Sequence, residues 1–508
     1  MTALALPRSD WALIVAGALL LTLAYPPFHL LVPSFVCLIP AVWLLTSTAE
    51  DGRPLRRRLT QGFWYGLIAN GVVLHWMVIA LWHFTPMSGL GYLATILILA
   101  VYTAGLFAVV DWIVTRTRLS LVVVFPMCWT ALEWWVGHQG DIRFPWLGLG
   151  TSLTGFPVLV QIADLVGARG VTLLLVMGNA MLALAWPRRL EPAARRAAGI
   201  VLACVLGALG YGVVRQRTLP TRPVGTIAMV QPNVGFADKW VEERQREIFD
   251  DLVVLTHQAV EAYAPQLVIW PEAAVAPSPA QRPSWWHRIE DLAAETGTPI
   301  FLGGTDDAWD GTTKTDYWNA AFLIERDGTF GRFPPYHKRY LVPITERVPF
   351  VDPRWFNLPF FGGFSIGDRA TLFDAGLGPF GVIICYESAF ENLTRWYRRD
   401  GADYVVNITN DAWFGRTTAP YQHFAHLVMR AIENRVGIVR AGNSGISGFV
   451  DPFGRPYGLT PLGERLYTGG DLRTTDSRTV YVRLGDWVGL LSLVGTAVMM
   501  GYAFRRTQ

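Results

Sequence analysis

The sequence predicts an α-helical bundle of eight transmembrane spans with an extracytoplasmic α/β domain between the seventh and eighth spans. Of its 508 residues, 52% are hydrophobic and only 16% are charged, which is typical of a largely membrane-embedded chain. Several apolar segments approach the length of about 20 residues that crosses a bilayer. Residues 220–480 instead alternate short β-branched runs with helical stretches, which indicates a layered α/β domain.

The predicted spans divide the chain into three parts. Residues 1–219 form a seven-helix transmembrane region, residues 220–480 the polar domain, and residues 481–508 a last transmembrane helix with its tail. The apolar segments are 11–25, 30–45, 62–81, 89–114, 119–135, 166–186, 197–214 and 487–504. The first segment ends at Tyr-Pro-Pro without a small-residue cleavage site, so we expect it to be retained rather than removed as a signal peptide.

Basic residues fix the predicted orientation. Arginines cluster before the first predicted span, after the last one and in every second connection between spans, at residues 8, 53–58, 116–118, 188–196 and 505–506. The short connections between these clusters carry almost no arginine or lysine. Because Lys and Arg concentrate in cytoplasmic loops, both termini are predicted to be cytoplasmic and the polar domain to lie on the outer side.

The polar domain has the periodicity of alternating strands and helices. The predicted helices are 237–263, 283–296 and 422–436. The predicted strands are 225–230, 266–270, 299–303, 320–324, 381–385 and 403–408. Hairpin-like turns are expected at 325–328 and 451–454, each of which ends in Gly.

Charge and cysteine usage exclude several classes of function. A net charge of +3 is too small to indicate nucleic-acid binding. Cys37, Cys128 and Cys204 lie in apolar segments, so Cys385 has no disulfide partner in its own domain. The pair His423 and His426 lacks further ligands, so we expect no metal site.

Three ionisable residues of the domain each follow a strand-like run: Glu272, Lys338 and Cys385. A thiol needs activation, because at a pKa of about 8.5 little of it is thiolate at neutral pH. A carboxylate can take its proton, and an ammonium can stabilise the oxyanion that forms in acyl transfer. Each residue alone has an ordinary structural explanation, as a cap, a solvated lysine or a packed cysteine.

The local motifs resemble those of the nitrilase superfamily, whose catalytic Glu, Lys and Cys occur in this order on an αββα sandwich. Three longer motifs are similar to those of one membrane branch of it, the apolipoprotein N-acyltransferases. They are Lys338-Arg-Tyr-Leu-Val-Pro-Ile-Thr-Glu346, Cys385-Tyr386-Glu387 and Asn407-Ile-Thr-Asn410-Asp411-Ala-Trp413-Phe414-Gly415. Tyr340 and Thr345 stand where His and Gly are more usual, which affects loop shape rather than chemistry.

The resemblance implies a role for each candidate residue. Cys385 is the nucleophile that becomes a thioester, Glu272 the general base and acid, and Lys338 the oxyanion stabiliser. The supporting residues it implies are Glu346, which orients Lys338 or shares its proton, and Tyr386 and Glu387, which follow the nucleophile.

Two further features suggest contact with lipid substrates. Trp240 matches a substrate-contacting tryptophan of the family, although interfacial packing would also explain it. The aromatic segment 350–367 is expected to be an interfacial lid, with packing on the bundle as the alternative. No cofactor is expected.

The resemblance further implies a multi-pass enzyme of the bacterial inner membrane with a periplasmic catalytic domain. It would move a fatty acyl chain from the sn-1 position of a phospholipid to the N-terminal amine of a diacylglyceryl-cysteine on an apolipoprotein. We expect a monomer among membrane lipids. The alternatives are a membrane-tethered amidase that finishes with water, and a transporter or scaffold whose outer domain only binds.

Overall fold

A computed structural model of the chain describes residues 6–47, 54–82, 88–188, 191–235, 237–311, 313–350 and 363–506. These residues form two compact units. The helical unit comprises Met1–Val78, Met87–Thr218 and Leu484–Gln508, and the sandwich unit comprises Ile79–Pro86 and Leu219–Arg483. Most of the predicted aromatic lid, residues 351–362, lies outside the described residues.

The secondary structure is ordered along the chain as follows. The helices are α1 (Arg8–Ala24), α2 (Leu31–Val36), α3 (Ile39–Thr46), α4 (Pro54–Val73), α5 (Trp76–Trp82), α6 (Ser88–Thr117), α7 (Leu121–Val136), α8 (Ala163–Ala185), α9 (Pro192–Thr218), α10 (Glu242–Tyr263), α11 (Pro283–Thr296), α12 (Glu391–Asp400), α13 (Ala419–Asn434), α14 (Val480–Leu484) and α15 (Trp487–Arg505). The strands are β1 (Arg222–Gln231), β2 (Leu267–Ile269), β3 (Ile300–Asp310), β4 (Thr313–Ile324), β5 (Tyr336–His337), β6 (Phe373–Asp374), β7 (Pro379–Ile384), β8 (Tyr404–Thr409), β9 (Gly437–Gly442), β10 (Gly448–Val450), β11 (Pro456–Tyr457) and β12 (Leu466–Thr474).

Every predicted span coincides with helical structure. Among the described residues, four helical segments are long and apolar enough to cross a bilayer: Gly89–Thr117, Ala163–Ala185, Pro192–Thr218 and Trp487–Arg505. Leu31–Thr46 and Leu121–Val136 are apolar but shorter. The second predicted span is broken between α2 and α3, and Gly167, with φ +69°, interrupts α8.

Small residues let two long helices of the helical unit approach closely. A Cβ on Gly62 of α4 would lie 2.7 Å from the Thr103 carbonyl oxygen of α6, and one on Gly66 would lie 2.6 Å from Thr103 Oγ1. Glycines four residues apart create such contacts between apolar helices, where van der Waals packing replaces the hydrophobic effect. The α4–α6 pair therefore depends on the absence of side chains at these positions.

The sandwich unit contains two six-stranded sheets within the described residues. One has the order β12-β1-β2-β3-β4-β5 and the other β11-β10-β9-β8-β7-β6. The central strands β1, β2 and β3 run parallel, as do β7, β8 and β9, and the outer strands are antiparallel. The two sheets repeat the same plan of parallel centre and antiparallel edge.

The sheets pack face to face through aromatic rings. Phe301 of β3 lies 5.2 Å, centroid to centroid, from both Phe373 of β6 and Phe380 of β7. Helices α10 and α11 cover the first sheet with a core that includes Trp270 and Trp286. Helices α12 and α13 pack on the second sheet. The predicted α/β domain is thus a four-layer αββα sandwich.

Candidate active site

Two of the candidate catalytic residues follow parallel strands of different sheets. Glu272 comes three residues after β2, and Cys385 comes directly after β7, where the chain enters a short 3₁₀ turn, Cys385–Ala389. Cys385 has φ +51°, a left-handed conformation that costs a non-glycine residue about 1 kcal/mol. A sharp turn of this kind places the thiol at the strand end instead of within the ladder.

Glu272 is buried, and its two carboxylate oxygens have separate donors. Oε1 accepts from Asn319 Nδ2 at 2.7 Å and from Lys338 Nζ at 3.2 Å, while Oε2 accepts from the backbone N–H of Asn410 at 2.7 Å. Hydrogen bonds to both oxygens fix the orientation of the carboxylate. Glu272 is therefore arranged to accept a proton.

Lys338 joins the two glutamates named by the sequence. Its Nζ donates to Glu346 Oε1 at 2.8 Å as well as to Glu272, and its side chain is 1% exposed. Burial alone would lower the pKa of Lys338, but the two carboxylates raise that pKa well above its usual range. The ammonium is thus a permanent positive charge inside the sandwich unit.

The thiol of Cys385 is 1% exposed and responds to the same charges. Burial raises the pKa of Cys385 well above its usual range, Glu272 raises it further, and Lys338 opposes the shift. The resting sulfur therefore carries its proton, and attack on a substrate requires a base. Glu272 is a nearby carboxylate able to take that proton.

Glu387 ties the nucleophile turn to the segment that carries Lys338. It accepts from the backbone N–H of Ile384 at 2.7 Å, and on the other side from those of Arg339 at 2.7 Å and Tyr340 at 3.1 Å. The Tyr336 hydroxyl also donates to it, at 2.8 Å. Burial raises the pKa of Glu387 to about 7, against the opposing effect of these backbone donors. Glu387 thus sets the relative position of Lys338 and Cys385.

The structure says less about the roles of two other predicted residues, Tyr386 and Trp240. Tyr386 is buried, and its ring packs edge-on against Phe390 at a centroid distance of 5.1 Å. Trp240 ends the short 3₁₀ helix Asp238–Trp240, but its side chain lies outside the described residues. Its proposed contact with substrate stays a prediction.

Sequence reasoning missed several residues that build the site. Asn319 of β4 donates to Glu272 and, at 3.2 Å, to Glu346 Oε1, and no local motif distinguishes it. Lys239, buried beside Trp240, donates to the Glu272 carbonyl at 2.9 Å, and burial lowers its pKa to about 8. Lys239 could have been found from the sequence, because it directly precedes Trp240 in the motif that resembles the family.

Comparison with known proteins identifies the chain. Residues 226–484 match the carbon-nitrogen hydrolase family, and residues 17–181 match the apolipoprotein N-acyltransferase N-terminal domain. An apolipoprotein N-acyltransferase of Geobacter metallireducens is 33% identical over 99% of this chain and 96% of that protein. The chain belongs to the apolipoprotein N-acyltransferase family. A second member, from Methylococcus capsulatus, is 30% identical over 97% of this chain and 95% of that protein.

Membership in this family makes the chain an acyltransferase with a nitrilase-like domain. Among solved structures, an amidase from Nesterenkonia sp. is similar over 53% of this chain and 95% of its own, with 19% identity and a TM-score of 0.37. The arrangement in the sandwich unit can perform acyl transfer, since it combines a buried thiol, a carboxylate with fixed orientation and a buried ammonium.

Proposed function

We propose that this chain transfers a fatty acyl chain from the sn-1 position of a membrane phospholipid to the N-terminal amine of a diacylglyceryl-cysteine on an apolipoprotein. This is the last step of bacterial lipoprotein maturation, and it proceeds through a thioester on Cys385. The observation that carries the proposal is the hydrogen-bonded cluster of Glu272, Lys338 and Glu346, whose charges act on the buried thiol of Cys385 in a member of this family.

In the first half-reaction, Cys385 attacks the ester carbonyl and its proton moves to Glu272. Lys338 and the backbone N–H of Tyr386 stabilise the oxyanion, and Glu346 holds the Lys338 ammonium in place. When the carbon–oxygen bond breaks, Glu272 returns the proton to the glycerol oxygen, and a lysophospholipid departs. The acyl chain stays on sulfur.

In the second half-reaction, the amine of the lipoprotein attacks the thioester. Glu272 takes a proton from the amine, the carbon–sulfur bond breaks, and the sulfur receives that proton. The product is an amide, which is lower in free energy than the thioester. Because the first product leaves before the second substrate enters, the kinetics are ping-pong.

The proposal includes the placement of the chain in a membrane. The chain crosses the bacterial inner membrane eight times as a monomer, with both termini in the cytoplasm. Residues 1–219 form seven spans, residues 220–480 the periplasmic catalytic domain, and residues 481–508 the last span and tail. Support comes from the alternation of arginine clusters along the sequence and from the helices at each predicted span.

Intact mass measurement after exposure to phospholipid alone tests the covalent step. We expect the protein to gain the mass of one acyl chain on Cys385 and to lose it when a diacylglyceryl peptide is added. Cys385→Ser should gain nothing, whereas Cys204→Ser, which changes an exposed cysteine of α9, should behave as the unmodified protein. Free fatty acid released at the same rate with and without peptide would indicate a hydrolase instead. No acyl gain, with phospholipid still bound, would indicate a binding protein.

A further inference from the structure

A buried histidine contacts the backbone of the nucleophile itself. His423 Nε2, on α13, lies 2.9 Å from the carbonyl oxygen of Cys385, and the His423 side chain is fully buried. Because a carbonyl oxygen can only accept a hydrogen bond, Nε2 is the donor. The acyl-transfer steps described above assign no role to His423.

The ring of His423 is held from its other side by a charged network. Nδ1 lies 3.0 Å from Asp411 Oδ1 and 3.2 Å from Arg440 Nη2, and that same Nη2 donates to Asp411 Oδ2 at 2.6 Å. Thr409 Oγ1 also donates to Asp411, at 3.0 Å. All four side chains are buried. Rotation of the imidazole would break this network, so its orientation is fixed.

The charge state of Asp411 supports that rigidity. Burial alone would raise the pKa of Asp411, but the Arg440 guanidinium and His423 beside it hold that pKa below its usual range. The carboxylate is therefore ionised at neutral pH and can anchor both partners.

Peptide geometry connects this network to the reaction. The Cys385 carbonyl and the Tyr386 N–H belong to one planar peptide unit, and in a trans peptide the two groups point in opposite directions. The left-handed φ of Cys385 sets this unit apart from the regular strand before it. A hydrogen bond that holds the carbonyl toward α13 therefore also fixes the direction of the Tyr386 N–H.

We propose that His423 is a positioning residue that aims the Tyr386 N–H at the oxyanion, by holding the Cys385 carbonyl in a hydrogen bond anchored by Asp411 and Arg440. The inference rests on the proposed function, because it needs Cys385 as the nucleophile. Loss of one donor to an oxyanion slows catalysis by about 100-fold to 1000-fold. Loss of its orientation alone should slow acylation by about 10-fold to 100-fold, with kcat reduced and KM unchanged.

Two near-isosteric variants separate orientation from packing. In His423→Gln the side-chain amide reaches the place of Nε2 and can still donate to the Cys385 carbonyl. In His423→Asn the shorter amide takes the place of Nδ1, which preserves a polar partner for Asp411 but not the bond to Cys385. His426→Gln, one turn along α13 and also buried, is the matched control.

The readout is the infrared carbonyl band of a ¹³C-labelled acyl chain trapped on Cys385 by phospholipid alone. Hydrogen bonds to the thioester oxygen lower its stretching frequency. We expect the band to rise in His423→Asn and to stay near that of the unmodified protein in His423→Gln and His426→Gln. Unchanged bands in all three variants, with acylation lost only in proportion to folded protein, would overturn the proposal for His423. Absence of a thioester in the unmodified protein would instead contradict the proposed function.

Discussion

At the scale of single residues, Asn319 is the clearest example of a group that acts through its neighbours. Its one amide nitrogen donates to Glu272 Oε1 at 2.7 Å and to Glu346 Oε1 at 3.2 Å, so it holds two carboxylates around one ammonium. A hydrogen bond to a charged group contributes about 1.5 to 3 kcal/mol. We predict that Asn319→Ala slows formation of the acyl-enzyme by about 10-fold to 100-fold.

Rapid-mixing mass spectrometry with phospholipid measures this rate directly. Asn434→Ala is the control, because that buried amide donates only to the Arg430 carbonyl within α13 among the described residues. Equal acylation rates for Asn319→Ala and the unmodified protein would show that Lys338 alone suffices to orient Glu272.

Glu387 gives a pH prediction of definite sign. Its pKa is about 7 when folded, above the value of about 4.3 in an unfolded chain. Between these values the folded protein keeps a proton that the unfolded chain releases, so the free energy of unfolding falls as pH rises. This contribution is fully present below about pH 4 and is lost as the pH rises through about 7, and it amounts to about 4 kcal/mol.

Apparent melting temperatures of the purified enzyme at several pH values check this sign. Glu387→Gln should flatten the decline between pH 5 and 7, and it should be less stable throughout because its amide would face the Ile384 N–H. Glu261→Gln, an exposed change on α10, should keep the original slope. A slope unaffected by Glu387→Gln would assign the titration to another group.

Local sequence predicted the candidate catalytic residues and the supporting Glu346 and Glu387, but not Asn319 or the contact made by His423. Glu272, Lys338 and Cys385 are each marked by a strand-like run before them and by the motif around them. Asn319 and His423 act through contacts with residues 47 and 38 positions away. These contacts depend on how strands of one sheet pair and on how α13 packs on the other sheet, so neighbouring residues give no indication of them.

At the scale of helices and strands, the length and composition of an element decided whether sequence could predict it. The strand expected at 403–408 and the helix expected at 283–296 match β8 and α11 closely. Strands β5, β6 and β11 have two residues each, too few for a periodic pattern. Strand β12 was missed because Gly469 and Gly470, a residue type depleted in strands, stand at its centre.

Gly469 shows why that strand tolerates glycine. A Cβ there would lie 2.8 Å from the Tyr263 ring of α10, so helix and strand can approach this closely only because position 469 has no side chain.

The start of helix α10 also differs from the prediction. The helix begins at Glu242 instead of the expected 237, because Asp238–Trp240 forms a separate 3₁₀ turn that presents Lys239 to Glu272.

The contact between α4 and α6 allows a prediction about these elements. Valine at Gly62 would place a branched Cβ 2.7 Å from the Thr103 carbonyl and 2.8 Å from Ala104 Cα, so the helices would have to separate. Overpacking of this kind costs about 1 to 3 kcal/mol. We predict a lower melting temperature for purified Gly62→Val.

Gly105→Val is the control. It makes the same change on α6 at a position where a Cβ has no neighbour within 4 Å, and its melting temperature should be close to that of the unmodified protein. Equal losses in both would mean that helix propensity, not packing, decides the outcome.

At the scale of the whole molecule, the proposed topology rests on arginine clusters that recur at every second connection. The rule that concentrates Lys and Arg in the cytoplasm orients the spans as a set. One labelled residue on each side of the membrane therefore tests the predicted orientation. Glu295 is exposed on α11 of the sandwich unit, and Glu191 is exposed in the connection before α9. Neither is a basic residue, so replacing them leaves the orienting charges intact.

We predict that Glu295→Cys reacts with a membrane-impermeant maleimide in intact spheroplasts, whereas Glu191→Cys reacts only after the membrane is permeabilised. Both variants are made in a Cys204→Ser background, because Cys204 is exposed on α9 and the other native cysteines are buried. Labelling is measured by the mass added to the purified protein. Reaction of Glu191→Cys in intact spheroplasts, with Glu295→Cys protected, would reverse the topology and put the thiol on the cytoplasmic side. An enzyme that acylates exported lipoproteins could not work from there, so this result would also overturn the proposed acceptor.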